Sequence, residues 1–170
     1  MSFLELAKKR YSCRKLSAQP VEEEKLQKIL EAGNLAPTAV NKQPFHIWVL
    51  KSEEAMQKVS QTTSFIFGAP VAFVVGSKAD AAWVRSFDEK NFADVDASIA
   101  ATHMMLEIEA LGLGTTWVGH FDAPKLKELF PEMADYELVA IFPVGYPAED
   151  AKPSARHAER MGVEKLADWL

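Results

Sequence analysis

The chain has 170 residues, 48% hydrophobic and 25% charged, with a formal net charge of −5. That composition supports one globular domain, residues 1–170, with a sizeable core, and the acidic balance argues against a general nucleic-acid surface. The single cysteine, Cys13, excludes an intrachain disulfide and points to a reducing cytoplasm; no apolar run reaches the ~20 residues of a membrane-spanning helix, and the first residues lack the apolar core of a signal peptide.

Phe3 to Lys9 reads as a short helix with Phe3, Leu6 and Ala7 on one face. Arg10-Tyr11-Ser12-Cys13-Arg14 follows, placing two guanidinium groups four positions apart around a hydroxyl. In an extended segment residues 10, 12 and 14 share a side, which is good equipment for a phosphate dianion. The alternative is a solvated basic helix end, with Lys8, Lys9 and Lys15 nearby.

Ser17 to Gly33 reads as a second helix. Ser17 or Gln19-Pro20 opens it, Glu22 to Glu24 suit its positive end, Gly33 stops it, and Leu26, Ile29 and Leu30 form its buried stripe. Ala36 to Pro44 is a loop that joins small residues and prolines to the side-chain amides of Asn41 and Gln43. Amides donate and accept at once, which suits a flat heterocycle with mixed edges; an ordinary turn is the competing reading. Phe45 to Lys51 reads as a strand buried on both faces.

Glu53 to Ser60 is predicted helical, and Val71 to Gly76 is a second buried strand. Ala79 to Phe92 is ambiguous, with Trp83 and Phe87 at helical spacing; Trp83-Val84-Arg85 is either a mobile lid or a core aromatic beside a surface charge. Asp94 to Leu111 is the clearest helix. Ile99, His103, Leu106 and Ala110 share one side, and Ala97, Ser98, Ala100 and Ala101 permit close helix approach. Gly112-Leu113-Gly114-Thr115-Thr116-Trp117 fails as a dinucleotide fingerprint, because Trp117 stands at the third glycine and the segment follows a helix instead of opening one. It reads as a tight turn, or the start of a strand over Gly114 to Gly119, that approaches a ligand closely.

Pro124 to Phe130 is a short helix and Leu138 to Phe142 a strand, followed by a polar, proline-bearing segment and a short terminal stretch, Val163 to Leu170. His46, His103, His120 and His157 show no metal-ligand spacing, and Cys13 has no identifiable base beside it.

Taken together, Arg10-Tyr11-Ser12-Cys13-Arg14, Ala36-Pro37-Thr38-Ala39-Val40-Asn41-Lys42-Gln43-Pro44-Phe45, Asp96 to Gly119, and Gly145-Tyr146-Pro147 with Arg160 resemble, in order, the signature segments of the FMN-dependent nitroreductase family. The resemblance implies an α+β fold, a central and mainly antiparallel sheet flanked by helices, in an intertwined homodimer with FMN at the subunit interface. It implies that Arg10, Ser12 and Arg14 meet the FMN phosphate and ribityl chain, joined by Arg160, with Arg156 as its competitor. Pro37, Thr38 and Ala39 would line the isoalloxazine, Asn41 would bond to the ring or ribityl chain from the partner's side, Gln43 would also bind the cofactor, and Val118, Gly119 and His120 would offer backbone contacts near flavin N5. Thr38 and Phe45 depart mildly from the family's usual serine and tryptophan, and the long substrate-covering insertion of some members is absent.

The implied activity passes hydride from NAD(P)H through N5 to a nitroaromatic, quinone or similar small-molecule acceptor in a ping-pong cycle, with the flavin and no side-chain acid or base carrying the chemistry. The alternatives are a flavin-binding sensor or carrier that does not turn over, a reductive dehalogenase or flavin-modifying enzyme on the same fold, and a dimeric interaction protein whose arginines hold a peptide carboxylate.

Overall fold

A computed structural model describes residues 1–170. The helices are α1 (Phe3–Lys9), α2 (Glu23–Asn34), α3 (Glu53–Ser60), α4 (Ala93–Ala110) and α5 (Ala123–Leu129). The main sheet contains β1 (Phe45–Leu50), β2 (Val71–Ser77) and β5 (Glu137–Val144), all antiparallel, in the order β1-β2-β5; β3 (Val84–Arg85) and β4 (Lys90–Asn91) form a separate hairpin.

The sheet is centred on β2, whose seven residues are all buried. Side-chain alternation divides it between two cores. Val71, Phe73 and Val75 face α4 and α2, packing with Ala97, Ala101, Met104, Ile108, Leu26 and Ile29. Ala72 and Val74 face the other way, toward Val59, Leu126, Phe130 and Met133. Pro143 is tolerated in β5 because that strand lies at the sheet edge, where its missing N–H breaks no ladder. β1 is the opposite edge, and only Leu50 in it is fully buried, so the expectation of burial on both faces does not hold there.

Other boundaries shift for local reasons. The second helix begins at Glu23, not Ser17, because the Ser17 N–H is committed to the Tyr146 carbonyl at 2.8 Å. Gly33 lies inside that helix; a Cβ there would stand 3.0 Å from Met104 Cγ, so its role is to let α2 approach α4. The 79–92 segment is largely the β3–β4 hairpin, with Trp83 edge-on to Phe92 at 5.1 Å and Phe87 95% exposed. Residues 114–119 form no strand, only isolated bridges such as Gly114 to Gly145 and Val118 to Ile141.

α4 is the axis of the molecule. Its inner side buries Ala97, Ala100, Ala101, Met104 and Ile108. The Ile99, His103, Leu106 side faces outward instead, lining a shallow groove of about 640 Å³ with Phe3 and Ser98. α1 buries no residue, and Phe3 is 66% exposed at that groove. No helix is long and apolar enough to cross a membrane.

Candidate functional site

The arginine segment is held against the turn that follows α4. Ser12 bridges Thr115 in parallel, and the Cys13 N–H donates to the Thr115 carbonyl at 2.8 Å. Gly114 permits this approach: a Cβ there would lie 2.9 Å from both Cβ and Sγ of Cys13. Cys13 is completely buried, which removes it from attack on a substrate and makes it a packing residue.

Above that junction lies a cavity of about 260 Å³, lined by Arg10, Tyr11, Ser12, Arg14, Ser154, Arg156, His157 and Arg160. Four of the chain's five arginines are there. None of the four makes an ion pair, whereas Arg85, the fifth, is bound to Asp88. In a chain of net charge −5, four guanidinium groups around one opening without a carboxylate have the chemistry to hold an anion. Arg156 and Arg160 both line it. The C-terminal segment is tethered there by His157, whose Nε2 lies 3.2 Å from the Lys8 carbonyl.

Arg14 also lines a second cavity, of about 200 Å³, with Phe65, Phe67, Thr116, Trp117, Val118, Gly119 and His120. Its aromatic wall is ordered: Phe65 lies 5.8 Å from both the Phe67 and His120 rings, and Trp117 stands edge-on to Phe142 at 5.1 Å. A Cβ on Gly119 would meet nothing within 4 Å, so that side of the cavity is open. A cationic pocket joined by one arginine to a flat, aromatic-walled slot fits a phosphorylated planar heterocycle. Phe65 and Phe67 were not legible as site residues; their only signal is a run of aromatics before Gly68, where Phe67 has φ 55°.

The amide loop lies elsewhere. Pro37, Thr38, Ala39, Asn41 and Gln43 line neither cavity. The loop is docked near the beginning of α4, where the Ala39 N–H donates to Asp96 Oδ1 at 3.0 Å. Val40, Asn41 and Gln43 have φ of 47°, 55° and 50°. Strained backbone of this kind costs about 1–3 kcal/mol per residue and concentrates at functional sites. The loop is stiffened internally by Thr38, whose Oγ1 accepts the Gln43 N–H at 3.0 Å. The Asn41 and Gln43 side chains are exposed and make no hydrogen bond within the chain. Only two buried side-chain polar atoms lack a partner, Asp96 Oδ2 beneath this loop and Thr115 Oγ1 in the turn beyond the other end of α4.

An anion clamp, an aromatic slot and a strained amide loop around an α+β core define the class: a binder of a phosphorylated, ring-bearing cofactor. The chain belongs to the Nitroreductase family, whose model matches residues 7–64 and 61–146. It is similar to a nitroreductase family protein of Clostridium difficile 630, with a TM-score of 0.91 and 37% identity, covering 99% of this chain and 98% of that one. It is also similar to an FMN-dependent nitroreductase of Clostridium difficile R20291, with a TM-score of 0.75 and 26% identity over 94% and 98% of the two chains. A Methanothermobacter thermautotrophicus protein whose name pairs NADH dehydrogenase with NAD(P)H nitroreductase is 31% identical over 97% of this chain and 88% of its own length. The expected α+β, nitroreductase-like fold is therefore correct.

Proposed function

We propose that residues 1–170 form one FMN-binding domain of an NAD(P)H-dependent oxidoreductase that works as a homodimer. The observation that carries this reading is the set of four unpaired arginines around one cavity, joined through Arg14 to the aromatic slot. Arg10, Ser12, Arg156 and Arg160 would hold the phosphate of FMN. Arg14, between tail and ring, is suited to balance negative charge on the ring edge. Val118 and Gly119 would place backbone against the ring, with Phe65, Phe67 and Trp117 keeping water from it. When bound, the flavin supplies the two-electron chemistry between NAD(P)H and a nitroaromatic, quinone or similar small acceptor. The protein binds, orients and excludes water; no side-chain acid or base is needed. A reducing cytoplasm suits a chain whose single cysteine is buried and unpaired.

Distance supports the dimer. The amide loop sits at Asp96 near one end of α4, and the arginine segment sits at Thr115 beyond the other. At 1.5 Å per residue the two are roughly 20 Å apart within one chain. Antiparallel packing of two α4 helices through their outward grooves would bring one chain's Pro37–Gln43 loop to the other chain's clamp and slot. Pro37, Thr38 and Ala39 would then border the ring, and Asn41 and Gln43 would offer their free amides to it.

The test is the visible spectrum of the purified protein, followed by anaerobic addition of NADH and of NADPH. A flavin spectrum that bleaches with nicotinamide and returns with a quinone supports the enzyme. Flavin that stays oxidised supports a non-turnover binder, and a protein that remains colourless after soaking in FMN removes the reading altogether.

A further inference from the structure

We propose that Asp96 is the positioning residue of the amide loop: its buried carboxylate holds the Ala39 N–H and thereby sets the left-handed backbone that presents Asn41 and Gln43. The flavin-related part of this proposal rests on the function proposed above; the loop-anchoring part does not.

Asp96 is 1% exposed and sits among the small buried residues Ala93, Ala97 and Ala100 of α4. Its Oδ1 accepts the Ala39 N–H at 3.0 Å, across 57 residues of chain. Its Oδ2 has no partner at all. A buried carboxylate with a single hydrogen bond is a poor device for stability, because desolvation outweighs what one bond returns. A residue of that kind is explained by what it holds.

What it holds is the turn itself. The loop's other hydrogen bonds are local: Asn41 N–H to the Thr38 carbonyl, Lys42 N–H to the Ala39 carbonyl, and Gln43 N–H to Thr38 Oγ1. They shape the loop but do not tie it to α4; the Gln43 carbonyl, accepting the Phe45 N–H at 2.9 Å, joins only its far end to β1. Pro44 is anchored separately, its carbonyl accepting the Lys78 N–H at 2.8 Å. The Asp96 bond is what ties the turn between Ala36 and Pro44 to the helix. Three residues with positive φ in a span of four would relax without such a constraint.

A competing account is that Asp96 merely complements the positive end of α4. Asp94, two residues earlier and exposed, already serves that end while accepting from Ser77 Oγ at 2.5 Å. Helix-end complementation requires neither burial nor a contact with Ala39.

The experiment compares wild type with Asp96→Ala, Asp96→Asn and Ala39→Pro. Ala39→Pro deletes the donor from the other side of the bond, and Thr38, with φ −131° and ψ 159°, already has the extended conformation a following proline needs. The first readout is amide hydrogen exchange of residues 40–43 in flavin-free protein. Protection should fall about tenfold in Asp96→Ala and Ala39→Pro and stay near wild type in Asp96→Asn, which keeps an acceptor. The second readout is FMN titration. The two disruptive variants should bind about tenfold more weakly, with a visible spectrum moved toward that of free FMN, because the arginine clamp still holds the tail.

Unchanged exchange in a folded Asp96→Ala or Ala39→Pro protein overturns the proposal. Changed exchange with unchanged FMN affinity and spectrum overturns its link to the cofactor. A wild-type protein that binds no FMN discards the flavin reading, and the exchange measurement then decides the anchoring role alone. If Asp96→Ala does not fold, Ala39→Pro decides.

Discussion

Lys9 and Glu109 form an ion pair at 3.3 Å that clamps the end of α1 to the last turn of α4, immediately before the chain turns into Arg10. Glu109 is largely buried, so the pair is better insulated from solvent than the other ion pairs of the surface. It directs the arginine segment toward the turn at Thr115, where the anion cavity opens.

Arg10→Ala removes one charge-assisted contact from that cavity. FMN affinity should fall by roughly 1.5–3 kcal/mol, which is about tenfold or more. Arg156→Ala and Arg160→Ala should each weaken binding as well, and each should flatten its dependence on salt. Fluorescence titration at several ionic strengths measures all three. An unchanged dissociation constant for Arg10→Ala rejects its assignment to the phosphate.

Ser98→Arg places a long charge in the outward groove of α4 without touching either cavity. If the groove is the dimer contact, the variant elutes as a monomer and loses FMN affinity at the same time. Light scattering paired with absorbance at 450 nm reads both. A monomer that binds FMN as tightly as wild type refutes a site shared between chains.

Val40→Gly should stabilise the protein. Val40 is 69% exposed and held at φ 47°, where a β-branched residue is strained. Relief of about 1–2 kcal/mol, less about 0.5–1 kcal/mol for the greater freedom of glycine in the unfolded chain, leaves a gain centred somewhat below about 1 kcal/mol. The melting temperature should rise by ~1–4 °C for a domain of this size.

Tyr11 sets an alkaline limit. Burial pushes its phenol from 10.0 up to about 12, with the neighbouring Cys13 side chain and the charge of Glu109 adding to the effect. Because the folded value lies above the unfolded one, the stabilisation is fully present below pH 10 and is lost as pH rises through about 12. Tyr11→Phe should remove the ultraviolet tyrosinate step near pH 12 and flatten the fall in melting temperature above pH 10.

The long helix was legible from its eighteen-residue run free of proline and glycine, closed by Gly112, and its small residues were visible as a packing device. Which side of it faces the core was not. Ile99, His103 and Leu106 share a side, as read, but the pattern did not say that this side points outward while Ala97, Ala101, Met104 and Ile108 fill the space against β2. The hairpin was illegible for the opposite reason: β3 and β4 have only two residues each, too few for alternation to appear. Arg10, Ser12 and Arg14 could be found because they are neighbours in sequence. Arg156 and His157 join them only through the folded path of the C-terminal segment, and Phe65 and Phe67 carry no motif that distinguishes a slot wall from ordinary core.

The span of α4 has a genetic corollary. Under the shared-site arrangement, a chain crippled in its clamp by Arg10→Ala and a chain crippled in its loop at Asn41 are each deficient alone, but a mixed pair concentrates both lesions in one chamber and leaves the other intact. Co-expressing the two defective alleles would therefore rescue activity that neither possesses by itself.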